Sequence, residues 1–449
     1  MGMAGLDFHS YRNEETGLAK SSVHADLLKR HKAVLPAWIA LYYEHPISLV
    51  DGDGRHVVDA EGNRYLDFFG GILTTMTGYK TPAVVKAIQE QAAKMLHTST
   101  LYLIEGQIAL AERLAKLSGI PNAKVFFANS GTEANDTALM LATAYRQSNQ
   151  VLAIRNSYHG RSFSAVAITG NKSWSATSLS PVQVTYVHGG YKYRSPFGHL
   201  PDAEFTKACV DDLKDLIAIA TAGDVACMIA EPIQGVGGFV VPPDGFFGEM
   251  KKVLDEYGIL FISDEVQTGW GRTGEHFWGF EAHGIVPDLI TFAKGLGNGM
   301  AIGGVIARGD VMDCLEANSI STFGGNPLAM AGAMANLDYL LENDLQTNAS
   351  KVGRHLKSAL EDLGERHEVI GDVRGKGLMI GVELVKPGGK DPNPAAAATI
   401  LEKAREGGLL IGKGGLYGNC LRIAPPLSLT EAEADEGIAI LSQAIAEAK

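Results

Sequence analysis

The stretch GILFISDEVQTGWGRTG at 258–274, with DLITFAKGLGNG at 288–299, decides how this chain reads. Each segment opens with a short run that is apolar on both faces and stops at a polar residue, Asp264 in one and Lys294 in the other. Such strands belong inside a sheet covered by helices on both sides. Three further runs end the same way: KVFFAN (124–129) before Ser130, QVLAIRN (150–156) before Tyr158, and VACMIAEP (225–232) at Glu231. Between the runs the pattern turns glycine-rich and then helical. That alternation, from about Pro82 to Asp338, predicts an α/β sheet. Ligands of open α/β sheets bind at the carboxyl ends of the strands. If the strands are neighbours, Ser130, Tyr158, Glu231, Asp264 and Lys294 meet on one rim.

On the N-terminal side, Ser22 to Tyr43 mixes apolar and charged residues at helical spacing. HVVDAEGNRYLDFFGG (56–71) then reads as two short strands around a turn at 60–63. After Asn343 come a helical stretch, VIGDVRGKGLMIGVELV (369–385), a Pro/Gly-rich loop at 386–394, another helix, a short strand and a closing helix. This is a second, smaller α/β unit. The expected division is an arm with part of the small domain at 1–80, a large domain at 81–340 and the rest of the small domain at 341–449. A chain of 449 residues is too long for one ordinary core.

Composition narrows the function. Lys plus Arg number 39 and Asp plus Glu 51, so 39 − 51 gives −12, which argues against a nucleic acid partner. No apolar run approaches the ~18 residues of a membrane span. Cys209, Cys227, Cys314 and Cys420 lie far apart and form no CxxC pair, so neither a disulfide framework nor a metal site is indicated. MGMAGLDFHSYRNEETG (1–17) lacks a basic patch followed by an apolar core, and a cytoplasmic protein is expected.

The strand ends carry chemistry. Ser130-Gly131-Thr132 opens a helix, where small residues expose N–H groups able to receive a phosphate, or where Ser130 is simply an N-cap. Asp264 could pair with a protonated pyridine nitrogen or bind magnesium beside a nucleotide. The second reading fails, because no GxxxxGK followed by Ser or Thr occurs. Lys294 fits an imine-forming lysine if burial depresses its pKa. Tyr158-His159-Gly160-Arg161 offers a ring face, a turn and a guanidinium. Arg422, inside the apolar CLRIAPPL, calls for an anionic partner. Neither GxSxG nor HExxH is present.

Together, LDFFGGI, HTST, ANSGTEAN, AEPIQGV, DEVQTGWGR, FAKGLGNG, TFGGNP, GDVRGKGLMIG and LRIAPPL resemble the class III aminotransferases over nearly the whole chain. The likeness falls in their 4-aminobutyrate, ornithine and alanine-glyoxylate group, and most on the type 2 alanine-glyoxylate branch. The resemblance implies a pyridoxal 5'-phosphate (PLP) enzyme of fold type I, with a large, mostly parallel sheet flanked by helices and a smaller α/β domain. It implies that Lys294 holds PLP as a Schiff base and that Asp264 pairs with the ring nitrogen. Tyr158 and Val266 would sandwich the ring, Gln267 would reach its phenolic oxygen, and Ser130, Gly131 and Thr132 would bind phosphate. Thr322 would join them from the partner subunit of a homodimer, possibly one half of a tetramer. His159 and Glu231 would support the cofactor, Arg422 would grip the substrate carboxylate, and Ile72 and Arg161 would face the substrate. Relatives acting on ω-amino donors carry a glutamate in EPIQxE; here the position is Val236. That departure favours alanine or a short β/ω-amino acid as donor and pyruvate or glyoxylate as acceptor. Arg161 keeps a 4-aminobutyrate-type exchange with 2-oxoglutarate open, and the family also contains lyases and decarboxylases.

Overall fold

A computed structural model describes residues 22–448. Strands β1 (Leu49–Asp53), β2 (His56–Asp59) and β3 (Arg64–Asp67) form an antiparallel meander. Its second turn closes on Asp59, whose Oδ1 accepts the backbone N–H of Glu61 and of Asn63 at 2.9 Å each. A side-chain acceptor of that kind replaces a missing backbone partner in the turn.

Seven strands make the central sheet: β4 (Ala123–Ala128), β5 (Gln150–Ile154), β6 (Gln183–Val187), β7 (Cys227–Ala230), β8 (Leu260–Asp264), β9 (Leu289–Ala293) and β10 (Gly303–Arg308), in the order β4-β10-β9-β8-β7-β5-β6. Only β10 runs against its neighbours. All five runs read from the sequence are strands of this sheet. Every residue of β7, β8 and β9 is buried, which is why they read as continuous apolar runs. The helix Gly131–Arg146 covers one face with Ala134, Ala138, Leu141 and Ala142. The other face takes Phe205, Leu213 and Ile217 from Asp202–Ala220 and Phe246 and Met250 from Phe246–Glu256.

The third sheet is antiparallel, in the order β11-β12-β15-β14, from β11 (Ile370–Lys376), β12 (Met379–Leu384), β14 (Gly412–Gly414) and β15 (Cys420–Ile423). Between them, β13 (Leu409–Leu410) turns back to pair in parallel with β3 and completes the first sheet. The helix Leu345–Arg366 packs on this part through Leu345, Ala349, Val352, Leu356, Leu360 and Leu363, a stripe at helical spacing. Burying each of its larger apolar side chains contributes about 1.5–3 kcal/mol.

One expectation needs correction. The helical spacing from Ser22 to Tyr43 yields a helix only over Val23–Val34. Leu35 is extended (φ −111°, ψ 148°) because it precedes Pro36, whose ring disfavours the helical conformation at the preceding residue. The expected lack of a leader falls on 1–17, outside the described residues. No described helix is long and apolar enough to cross a membrane.

Candidate functional site

Because β4, β5, β7, β8 and β9 point the same way, their carboxyl ends open on one edge, where a cavity of about 300 Å³ lies. Its wall holds Ser130, Gly131, Thr132, Tyr158, His159, Glu231, Asp264, Val266, Gln267, Lys294, Ile72 and Arg422. Arg161 and Thr322 are not on the wall of their own chain. Arg161 is exposed and its guanidinium stacks over the Trp38 ring, 5.1 Å from the centroid. Thr322 is exposed in the loop beside Ser321, whose hydroxyl accepts a bond from Asn129 Nδ2. Tyr42, Gly71, Thr74, Asn135, Gly160, Trp174 and Val236 complete the wall.

Asp264 ends β8 with its carboxylate buried and held from three directions. Oδ2 accepts from Asn135 Nδ2 at 2.9 Å and lies 2.7 Å from His159 Nδ1; Oδ1 accepts the Val266 N–H at 3.1 Å. Asn135 is fixed in turn, since its Oδ1 accepts the Thr291 hydroxyl at 2.7 Å. Glu265 turns the other way, as successive strand residues do. It is fully buried and accepts from Ser263 Oγ, Thr268 Oγ1, Gly279 N and Phe280 N. The acidic pair thus splits into one group at the cavity and one pin within the fold.

Lys294 leaves β9 in a left-handed conformation (φ 44°) that aims it at the cavity. Its amine makes no hydrogen bond or ion pair among the described residues. Desolvation lowers its pKa to about 8; Arg422 adds to the shift, and Asp264 and Glu231 oppose it. Glu231 accepts the N–H of Tyr158 at 2.9 Å and of Gly235 at 2.8 Å, joining two loops of the wall. Desolvation raises its pKa to about 7.

The helix Gly131–Arg146 begins at the wall. Ser130 is its N-cap, with Oγ accepting Glu133 N at 3.2 Å, so the serine side chain is spent on the helix. The first-turn N–H groups, which lack intrahelical acceptors, remain for an anion. Gly160 closes this corner: a Cβ there would come within 2.5 Å of Thr132 Oγ1.

Across the cavity, Asp67 accepts the N–H of Phe69 and of Gly70 and braces a turn in which Gly70, Gly71, Ile72 and Leu73 all have positive φ. Such a conformation is strained at a β-branched residue, and it sets Ile72 at the mouth. Arg422 projects from β15 and is 1% exposed. Gly414 makes room for it, because a Cβ there would meet Arg422 Cδ at 2.6 Å. Its guanidinium carbon sits 4.9 Å from the ring centroids of both Phe69 and Phe239. Nε and Nη2 have no partner, and that edge of the guanidinium is a fork suited to one carboxylate.

These residues fit a planar anionic cofactor. Gln267 Oε1 is buried without a partner beside the unpaired amine, the braced carboxylate and the helix N-terminus. Asn135, one helical turn beyond Gly131 in ANSGTEAN, could have been picked out from that spacing. Tyr42 and Trp174 had no local signal, since each arrives from outside the strand-end pattern.

The class-III aminotransferase family model matches residues 40–445. The mitochondrial alanine–glyoxylate aminotransferase 2 homolog 2 of Arabidopsis thaliana is 42% identical, with 91% of this chain and 84% of the relative aligned. An alanine/serine racemase of Pyrococcus horikoshii is 38% identical, with 94% and 90% aligned. Among solved structures, an amine transaminase from an uncultivated Pseudomonas species in its PLP-bound form superimposes with a TM-score of 0.86 at 31% identity, covering 93% of this chain and 98% of that one.

Proposed function

The chain belongs to the class III aminotransferases, PLP-dependent enzymes of fold type I, and from that premise we propose that it moves an amino group from alanine or a short β/ω-amino acid to pyruvate or glyoxylate. One observation carries the substrate reading. Arg422 and Lys294 are the only Lys or Arg residues on the cavity wall among the described residues, and the Nε–Nη2 edge of Arg422 is unpaired. A small monocarboxylate satisfies that edge. The second carboxylate of 2-oxoglutarate finds no further guanidinium or ammonium there, because Arg161 is turned onto Trp38. Val236, where ω-amino relatives carry glutamate, puts no acid against the Nε–Nη2 edge of Arg422.

When bound, PLP supplies the carbonyl carbon that receives the amino group and a ring that withdraws electrons from the substrate α-carbon. Lys294 would hold it covalently and, once displaced, act as the base that takes the α-proton and returns one as acid. Asp264, oriented by Asn135 and His159, would keep negative charge at the ring nitrogen. Tyr158 and Val266 would flank the ring, Gln267 would donate to its phenolic oxygen, and the N-terminal amides at Gly131 and Thr132 would take the phosphate. In the same proposal residues 81–340 form the cofactor-binding domain and 341–449 most of the small one. The enzyme works in the cytoplasm, in keeping with four unpaired cysteines.

A homodimer belongs to this reading, with Thr322 reaching the partner's phosphate site. Support comes from Leu101, Tyr102 and Leu103, the last 93% exposed, and from Phe323 next to Thr322, whose ring packs on His97. Exposed apolar clusters of this kind mark interaction surfaces.

The test compares kcat/KM for pyruvate, glyoxylate and 2-oxoglutarate with alanine as donor, using Lys294→Ala as the inactive control. Preference for either small acceptor is expected. Preference for 2-oxoglutarate overturns the substrate reading. Racemised alanine, or release of ammonia, phosphate or carbon dioxide without acceptor, overturns the reaction itself.

A further inference from the structure

A guanidinium as deeply buried as that of Arg422 ordinarily has a carboxylate beside it, since desolvating an unpaired charge is unfavourable. Here no carboxylate bonds to it among the described residues. Two rings approach it instead, Phe69 and Phe239, with both ring centroids 4.9 Å from Cζ. The negative π-face of each ring attracts a cation, and the attraction grows when water is excluded.

The second ring is held in place by an otherwise unexplained arrangement. Phe239 has a positive φ (53°) and is fully buried. A bulky residue adopts that conformation only when its surroundings enforce it. The preceding carbonyl, Gly238 O, accepts from Arg374 Nε at 3.0 Å. Arg374 is itself fixed by ion pairs with Asp372 and with the buried Glu383, 2.7 Å each. The other ring, Phe69, is positioned by the Asp67 carboxylate, which accepts its N–H at 2.8 Å. Two separate acidic anchors therefore set two rings on one guanidinium.

We propose that Phe69 and Phe239 are positioning residues that clamp Arg422 as a permanent carboxylate receptor. The clamp does the work that a neighbouring acid would do, lowering the cost of the buried charge, but leaves the Nε–Nη2 edge free. An acid would compete for that edge; a ring face cannot. Arg422 is thereby kept from swinging aside, and its free edge stays available to a substrate carboxylate in both half-reactions. This rests on the reading of Arg422 as the substrate carboxylate site.

The experiment uses the holoenzyme and an unreactive carboxylate, propionate. Its Ki against alanine is measured in wild type, Arg422→Met, Phe239→Leu, Phe239→Tyr and Phe69→Leu, together with KM and kcat for alanine and pyruvate. Leucine keeps the apolar volume and removes the π-face; tyrosine restores it. Each leucine variant is expected to weaken propionate and raise both KM values by about tenfold, with a smaller change in kcat. Phe239→Tyr should recover most of that loss. If Arg422→Met leaves propionate binding intact, the carboxylate-site reading fails. If Arg422→Met loses it but both leucine variants match wild type, the clamp alone fails. Equal losses in the leucine and tyrosine variants of Phe239 mean that its packing, not its ring face, matters, and likewise overturn the clamp.

Discussion

The reactivity of Lys294 can be titrated directly in the apoenzyme. Burial takes its pKa from 10.5 to about 8. At pH 7 about a tenth of the amine is then neutral, against ~0.03% for an ordinary lysine, an excess of about 300-fold. The sign follows from the cause: desolvation penalises the ammonium, so lowering pH protonates Lys294 and silences it. Modification by an acylating reagent, followed by peptide mass spectrometry, reads the neutral fraction. The rate should climb about tenfold per pH unit below 7 and level off above ~9. In Asp264→Asn, which removes a carboxylate that opposes the shift, the plateau should move to lower pH. A rate that still rises tenfold per unit between about 8.5 and 10, as for a solvated lysine, would refute the reasoning.

Asp264→Asn should also lower kcat by about 10²-fold or more, because a charge fixed at the reacting ring is lost; steady-state kinetics at saturating cofactor measures it, and a loss below fivefold contradicts the assignment. Gly160→Ala places a methyl against Thr132 at a positive φ of 134° and should weaken PLP affinity at least ~10-fold by fluorescence titration, since the phosphate corner must shift. Glu265→Ala strands two backbone N–H groups and two hydroxyls in the core, at about 1–3 kcal/mol each. Denaturant unfolding of the apoenzyme should show a loss of at least ~3 kcal/mol; a loss under 1 would mean that water replaces the carboxylate.

The strands that carry the site were legible because their surroundings are uniform: β8 and β9 are covered on both faces, so their sequences are apolar throughout and end where the cavity begins. β6 and β10 escaped notice for the opposite reasons. β6 is a half-buried edge strand, QVTYV, and β10 starts with two glycines that let it pass close to Ser130 and Phe126. The residues at the strand ends could be named before their distances were known, because each follows its strand directly. Tyr42, Trp174 and the Phe69–Phe239 pair could not. Their positions depend on how separate loops meet, and no local spacing encodes that meeting. Arg161 depends on the same kind of meeting: the family likeness suggested a substrate contact, and its guanidinium stacks over the ring of Trp38, a residue distant in sequence.

The parallel pairing of β13 with β3 has a consequence for synthesis. Leu409 and Leu410 hold the strand that leads into Asp67, Phe69 and the turn at Ile72, so until residue 410 has been made that strand is paired only with β2 and keeps one edge open. The central sheet can collapse earlier, because its strands lie close together in sequence. A nascent chain halted before Leu409 would carry a formed Lys294 rim facing an unformed opposite wall. Such an intermediate exposes apolar surface, and the segment from Leu409 to Arg422 turns it into a receptor.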